Sequence, residues 1–198
     1  MNARPLASQA IALERMVRAV EKVRERLLRA TAALERAAIP YAVIGGNAVA
    51  YWVARVDEEA VRNTRDVDIL LRQEDLEAAK VALGGAGFIY HETLGVHMFI
   101  DGPKGSARNA VHILIAGKKV QEDYAEPTPD VAESEPGPEF RALNLEPLVR
   151  MKLTSFRDKD RTHLRDFIEL GLIDASWPAR FPPELAARLQ HLLDTPGG

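Results

Sequence analysis

No cysteine occurs among the 198 residues, which excludes disulfides, thiolate-bound metals and a cysteine nucleophile and leaves redox chemistry silent on compartment. Long apolar runs are missing too, so no segment is expected to span a bilayer. Arg4 is followed by no apolar stretch of the kind an export signal requires, and a cytoplasmic location is the expectation. Neither sign of charge dominates. With 26 Lys and Arg against 29 Asp and Glu, the formal net charge of -3 gives no global attraction to nucleic acid or anionic membrane, and any anion site must be local. What is present, 46% hydrophobic and 28% charged residues, is the balance of an ordinary globular protein long enough for one substantial domain or a domain with a helical appendage.

Hydrophobic periodicity divides the chain. Leu13, Met16, Val20, Val23, Leu27, Ala30 and Leu34 recur at spacings of three and four among Glu and Arg, which predicts a long amphipathic helix within 1–40 that ends before Pro40. The register suits packing on its own domain or pairing with a second copy in a homodimer. From 41 to 121 the pattern becomes alternating units: a strand at 41–45, a helix at 46–55, a strand at 66–71, a helix at 73–85 and strands near 88–91, 96–101 and 110–116. That order predicts an α/β (α+β) core with a mixed sheet flanked by helices. Asp101-Gly102-Pro103-Lys104-Gly105 is a turn signal, so the last two strands should form an antiparallel hairpin. Residues 122–144 are rich in proline and acid and read as a connector or covering loop without helix or central strand. Helical periodicity returns at 145–157, 160–171 and 183–193, a C-terminal helical region spanning 145–198.

The chemistry concentrates in two places. Gly45-Gly46-Asn47 closes the apolar run Tyr41-Ala42-Val43-Ile44, and after one helical stretch comes Arg62-Asn63-Thr64-Arg65-Asp66-Val67-Asp68. Successive strand side chains alternate, so Asp66 and Asp68 project to one side while Val67 and Ile69 point to the core. Two close carboxylates repel without a cation. A divalent ion carrying triphosphate oxygens would relieve that repulsion, and glycines at a helix N-terminus would let backbone N–H groups approach the phosphates. Standing alone, the glycine pair reads as an ordinary tight turn and the aspartates as solvated strand-end acids; it is their combination that points to a site.

Taken together, the strand, the glycine pair, the helix and the Asp-x-Asp strand resemble the nucleotidyltransferase superfamily. Arg62-x-Thr64 just before the carboxylate pair is similar to the branch of bacterial abortive-infection nucleotidyltransferase toxins of type IV toxin–antitoxin systems. A second block resembles that branch's C-terminal region: Met151-Lys152-Leu153, then Arg157-Asp158-Lys159-Asp160-Arg161 and Asp166. The resemblance covers 41–71 and 145–172, about a third of the chain. It implies that Asp66 and Asp68 hold Mg²⁺, that Gly45, Gly46 and Asn47 cradle a nucleoside triphosphate, and that Arg62, Thr64, Lys152, Arg157 and Lys159 contact its phosphates. The implied reaction moves a nucleoside monophosphate from the triphosphate to a hydroxyl on RNA, protein or a small molecule, in a toxin with a cognate antitoxin as partner.

One position departs from the pattern. Where many members carry a third carboxylate, this chain has Val111-His112-Ile113-Leu114. His112 is a replacement base or ligand, since imidazole accepts protons near neutral pH. Its presence also fits a nucleotide-binding or interaction module that has lost catalysis, because Mg²⁺ prefers oxygen. A third reading is an adenylyltransferase of the antibiotic-modifying kind. Asp101 is another possible substitute acid, with a turn role as its alternative, and His91, His97 and His112 allow a zinc site if strand register puts His97 and His112 on one face.

Overall fold

A computed structural model of the chain describes residues 4–195, with the side chains of residues 4–10, 12 and 13 outside that description. Seven strands form one mixed sheet, and their residues account for its order: β1 (Tyr41–Ile44), β2 (Val67–Leu71), β3 (Phe88–Thr93), β4 (Val96–Asp101), β5 (Val111–Ile115), β6 (Ser134–Pro136) and β7 (Arg141–Leu143). The spatial order is β3-β4-β5-β2-β1-β7-β6. β1 runs antiparallel to β2, β2 parallel to β5, and β1 parallel to β7. Every residue of β1 is buried, and β2 buries Val67, Ile69, Leu70 and Leu71, so the two strands form the middle of the molecule.

Six helices complete the fold: α1 (Arg4–Arg36), α2 (Gly45–Ala54), α3 (Leu76–Gly85), α4 (Leu145–Ser155), α5 (Asp158–Glu169) and α6 (Pro183–Asp194). α1 and α3 cover one face, where Leu27, Ala30, Leu34, Ala79 and Leu83 pack on Val43, Ile69, Val111 and Phe99. On the other face α2, α4, α5 and α6 bury Ala48, Val53, Leu148, Leu164 and Leu189 against Ala42, Ile44 and Leu70. The second layer stops short of β3 and β4, whose residues do not join its core. Among the stripe positions of α1, Leu27, Ala30 and Leu34 are buried, whereas Met16 and Val20 are exposed; the side chain of Leu13 lies outside the described residues.

Three features depart from the sequence reading. Proline-rich segment 122–144 contributes β6 and β7, and β7 pairs with central strand β1, Val43 opposite Ala142. Its proline stands at the edge, Pro136 closing β6, where a missing N–H breaks no ladder. The hairpin signalled at 101–105 does join β4 to β5 antiparallel, but β3 and β4 form a second hairpin through Leu94-Gly95, both at positive φ. Finally, Asp101 is neither a substitute acid nor a simple turn residue. It lies on the α1 face and pairs with Arg26, Nε 3.3 Å from Oδ2, and with Arg29.

Arg26 is nearly inaccessible, so its charge depends on Asp101. Breaking a buried pair from one side typically costs about 3 kcal/mol. Asp101→Ala should therefore lower the unfolding free energy by about 2–3 kcal/mol in denaturant titrations, while leaving the cavities across the sheet unchanged.

Candidate functional site

The site forms where β1 ends beside β2. Antiparallel register sets Ile44 opposite Asp68, so the first residue of α2 passes directly by that carboxylate. A Cβ at Gly45, whose φ is +65°, would lie 2.1 Å from Asp68 Oδ2. At Gly46 a Cβ would lie 2.5 Å from Thr64 Oγ1. The glycine pair is thus dictated by close approach to Thr64 and Asp68. Asn47 is buried and its Nδ2 donates to the Asp66 carbonyl at 2.8 Å. Expected as a phosphate donor, Asn47 instead pins the loop carrying Asp66 onto α2.

Two cavities meet at this point. A smaller one of about 220 Å³ has apolar walls from Ile44, Leu114, Leu148 and Met151 and is roofed by Val120, Gln121, Tyr124 and Glu126 of the segment after β5. That segment is tied at its base by Thr128, whose Oγ1 donates to the Ile115 carbonyl at 2.6 Å. A larger cavity of about 330 Å³ lies over the glycine pair and is polar. Arg62, Arg65, Lys152, Arg157 and Lys159 line it, five cations against the three carboxylates Asp66, Asp68 and Asp160. Gly45, Asp68, Lys152, Arg157, Lys159 and Asp160 belong to both.

The cations are unequal. Arg62 makes a forked pair with Asp166 of α5, at 2.7 and 3.0 Å, which occupies the Nε and Nη2 edge of the guanidinium and leaves Nη1 without a partner among the described residues. Arg157 Nε donates to Asp160 Oδ2 at 2.8 Å, and Ser155 Oγ donates to the same oxygen. Lys152 is buried, with Nζ 3.5 Å from Asp160 Oδ1 and 3.0 Å from His163 Nδ1. Burial lowers its pKa, while the charge and hydrogen bond of Asp160 oppose that shift. An ammonium has no lone pair, so a charged Lys152 donates to His163 Nδ1. The ring is held down to about 4, first by burial and then by the charge of Lys152. Lys159 lines both cavities and pairs with no acid among the described residues.

Asp68 is the second residue of β2 and Asp66 immediately precedes the strand, and neither carboxylate accepts a hydrogen bond from the described residues. Burial raises the pKa of Asp68; His112 opposes this and the charge of Asp66 adds to it. His112 is in register with Asp68 on the parallel strand β5, with Nδ1 3.7 Å from Oδ1. Paired acids lacking their own donors, beside surplus positive charge, suit a cation that arrives with phosphate oxygens. Among the described residues no three His, Asp or Glu side chains are grouped to hold an ion by themselves.

The zinc arrangement is not formed. His97 is paired with Ile113, whereas Met98 is paired with His112, so His97 and His112 lie on opposite faces. His97 Nδ1 is hydrogen-bonded to the Tyr90 hydroxyl at 2.8 Å. Sequence reasoning did not single out Asp160 or His163 as site residues, nor Tyr124 and Glu126 as part of the roof. Arg157, Asp160 and His163 at three-residue spacing on one helix face carried that signal for α5; the roof had none.

No protein-family model matches the chain, and no curated protein matches it. Among solved structures, a nucleotidyltransferase-like antigenic protein from Paracoccidioides brasiliensis is 17% identical over 88% of each chain, with a TM-score of 0.53. The antibiotic-resistance factor ANT(2″)-Ia in solution is 14% identical over 92% of each chain, with a TM-score of 0.49. Its crystal structure with adenylyl-2″-tobramycin is 16% identical over 84% of this chain and 94% of that one, at a TM-score of 0.48. The fold is therefore nucleotidyltransferase-like, a mixed α/β architecture.

Gly45→Ala should push the Asp68 carboxylate aside and strain a left-handed backbone, costing about 1–2 kcal/mol of stability in thermal or denaturant melts. A pH dependence follows from His163, which faces Lys152, Asp160, Asp166 and Lys159. Its folded pKa lies below the ordinary 6.5, so as pH falls from 6.5 towards 4 the unfolded chain takes up a proton that the folded chain refuses. Stability present above pH 6.5 should be lost across that window, by on the order of 2 kcal/mol after discounting for partial exposure. His163→Gln should flatten this part of the stability curve.

Proposed function

We propose that the protein is a metal-dependent nucleotidyltransferase that moves a nucleoside monophosphate from a nucleoside triphosphate to a hydroxyl acceptor. The carrying observation is the meeting of Asp66, Asp68 and the glycine-started α2 between a cationic and an apolar cavity. In this reading the triphosphate lies in the cationic cavity, where the N–H groups at the start of α2 and the ammonium of Lys159 bind its oxygens. The base and sugar enter the apolar cavity under Tyr124. Lys152 adds a buried positive charge, and Asp160 holds Lys152 and Arg157 in position.

Asp66 and Asp68 would hold Mg²⁺, the ion suited to carboxylate and phosphate oxygens. When bound, that ion supplies Lewis-acid polarisation of the phosphoryl group and charge neutralisation of the departing pyrophosphate. The chain's own residues orient the triphosphate for in-line attack at the α-phosphorus, and the roof over the apolar cavity limits water. The Arg62-x-Thr64 motif and the Lys152 to Asp166 block support a toxin of the abortive-infection kind, acting with a cognate antitoxin in the cytoplasm. No described helix is long and apolar enough to cross a membrane.

A second reading is a nucleotide-binding module without turnover, favoured by the imidazole of His112 in register with Asp68. Release of pyrophosphate from bound triphosphate separates the two: turnover supports the transferase, and tight binding with none supports the module.

Calorimetric titration of each nucleoside triphosphate, with and without Mg²⁺, tests the site directly. Asp66→Ala combined with Asp68→Ala should abolish metal-dependent binding while leaving the thermal melt intact. Equal metal-dependent affinity in the double variant would overturn the assignment.

A further inference from the structure

The sheet has an uncovered face beside the candidate site. Register places His91 of β3, Met98 of β4, His112 of β5 and Asp68 of β2 in one cross-strand row on the same side. Ile89 and Ile100 flank it on one side, Thr93 and Val96 on the other. Ile89 and Val96 are 40% and 49% exposed, and none of these β3 and β4 residues joins the core beneath α2, α4, α5 and α6. A close contact at Gly105, where a Cβ would meet Ile100 Cγ2 at 2.5 Å, bounds one end.

The chemistry of this face is unusual beside a cationic site. No Asp, Glu, Lys or Arg projects from β3, β4 or β5 on this side; Glu92 and Asp101 point to the opposite one. At ordinary strand spacings the surface measures about 10 by 20 Å. Small-molecule sites are concave, and neither cavity described above is lined by Ile89, His91, Val96 or Met98. A polycationic small molecule would find no carboxylate here beyond Asp66 and Asp68. An RNA strand would find no Lys or Arg for its phosphates on this side of β3, β4 and β5, where the only rings are the imidazoles of His91 and His112. The face matches an uncharged, partly apolar polymer.

Resting on the nucleotidyltransferase reading, we propose that the acceptor is a polypeptide bearing a serine, threonine or tyrosine hydroxyl, laid across β3, β4 and β5 so that the hydroxyl reaches the α-phosphate beside Asp68. The hydroxyl oxygen forms a bond to the α-phosphorus as the bond between that phosphorus and the bridging oxygen breaks. The hydroxyl proton is released and pyrophosphate departs with the bridging oxygen. The product is a nucleotidylated side chain.

The test uses the full chain with α-labelled nucleoside triphosphates and Mg²⁺. It is offered in separate reactions to unstructured peptides carrying one serine, threonine or tyrosine among apolar residues, to total RNA, and to tobramycin. Label should pass to peptide hydroxyls. Met98→Glu and, independently, the more exposed Val96→Glu should reduce that transfer at least tenfold with triphosphate affinity unchanged, while Met98→Leu retains it. The proposal is overturned by label in RNA or tobramycin with none in peptides, by label confined to a second copy of this chain, or by no peptide labelling from protein that binds triphosphate. Unchanged transfer in both glutamate variants would also overturn it. Failure of the wild-type chain to bind triphosphate is read by calorimetry and removes the underlying nucleotidyltransferase reading, and the proposal with it.

Discussion

The close passage of Gly45 by Asp68 is the constraint on which the rest of the site depends. β1 and β2 are antiparallel neighbours with Ile44 opposite Asp68, so the chain leaving β1 must cross in front of the carboxylate before α2 begins. Any side chain there would occupy the carboxylate's volume. Gly46 repeats the condition against Thr64, and Asn47 then fastens the Asp66 backbone to the same helix. Three consecutive residues thus solve one problem: bringing a helix N-terminus, two acids and a loop to a single point without filling it.

Charge balance is the second organising force. The cationic cavity holds one buried positive charge, Lys152, and Asp160 offsets it from 3.5 Å while also bonding the exposed Arg157. His163 completes this arrangement as a neutral acceptor for the Lys152 ammonium, which a second cation could not be. The Arg62–Asp166 fork joins the loop before β2 to α5 and links the α/β layer to the C-terminal helices. Lys159 remains without an acid partner among the described residues.

What was legible in the sequence was local. Alternation along Val67-Asp68-Ile69 revealed which residues point inward, and period-two and three-to-four patterns located β1, β2, α3 and the C-terminal helices within a few residues. The glycine pair was legible as special, although its cause is a tertiary contact with Asp68 and Thr64. Features set by long-range pairing were not legible. β6 and β7 hide in a proline-rich stretch because an edge strand tolerates Pro136, while β7 gains its place from pairing with β1. Nothing near Asp101 announced that it neutralises arginines more than seventy residues earlier. Leu94 carried no turn signal, since few non-glycine residues adopt a positive φ.

The two sheet faces differ in a way that bears on mechanism. α1 and α3 extend cover over one face from Tyr41 on β1 to Phe88 on β3, so those five strands need no further partner there. On the other face the helical core takes in β1, β2, Leu143 of β7 and Leu114 of β5 but no residue of β3 or β4, and both cavities lie beside it. Apolar residues left exposed on a strand face carry an aggregation risk, and Ile89 and Val96 are such residues. That exposed strip follows a register row that ends at Asp68, the geometry on which the proposed polypeptide acceptor rests.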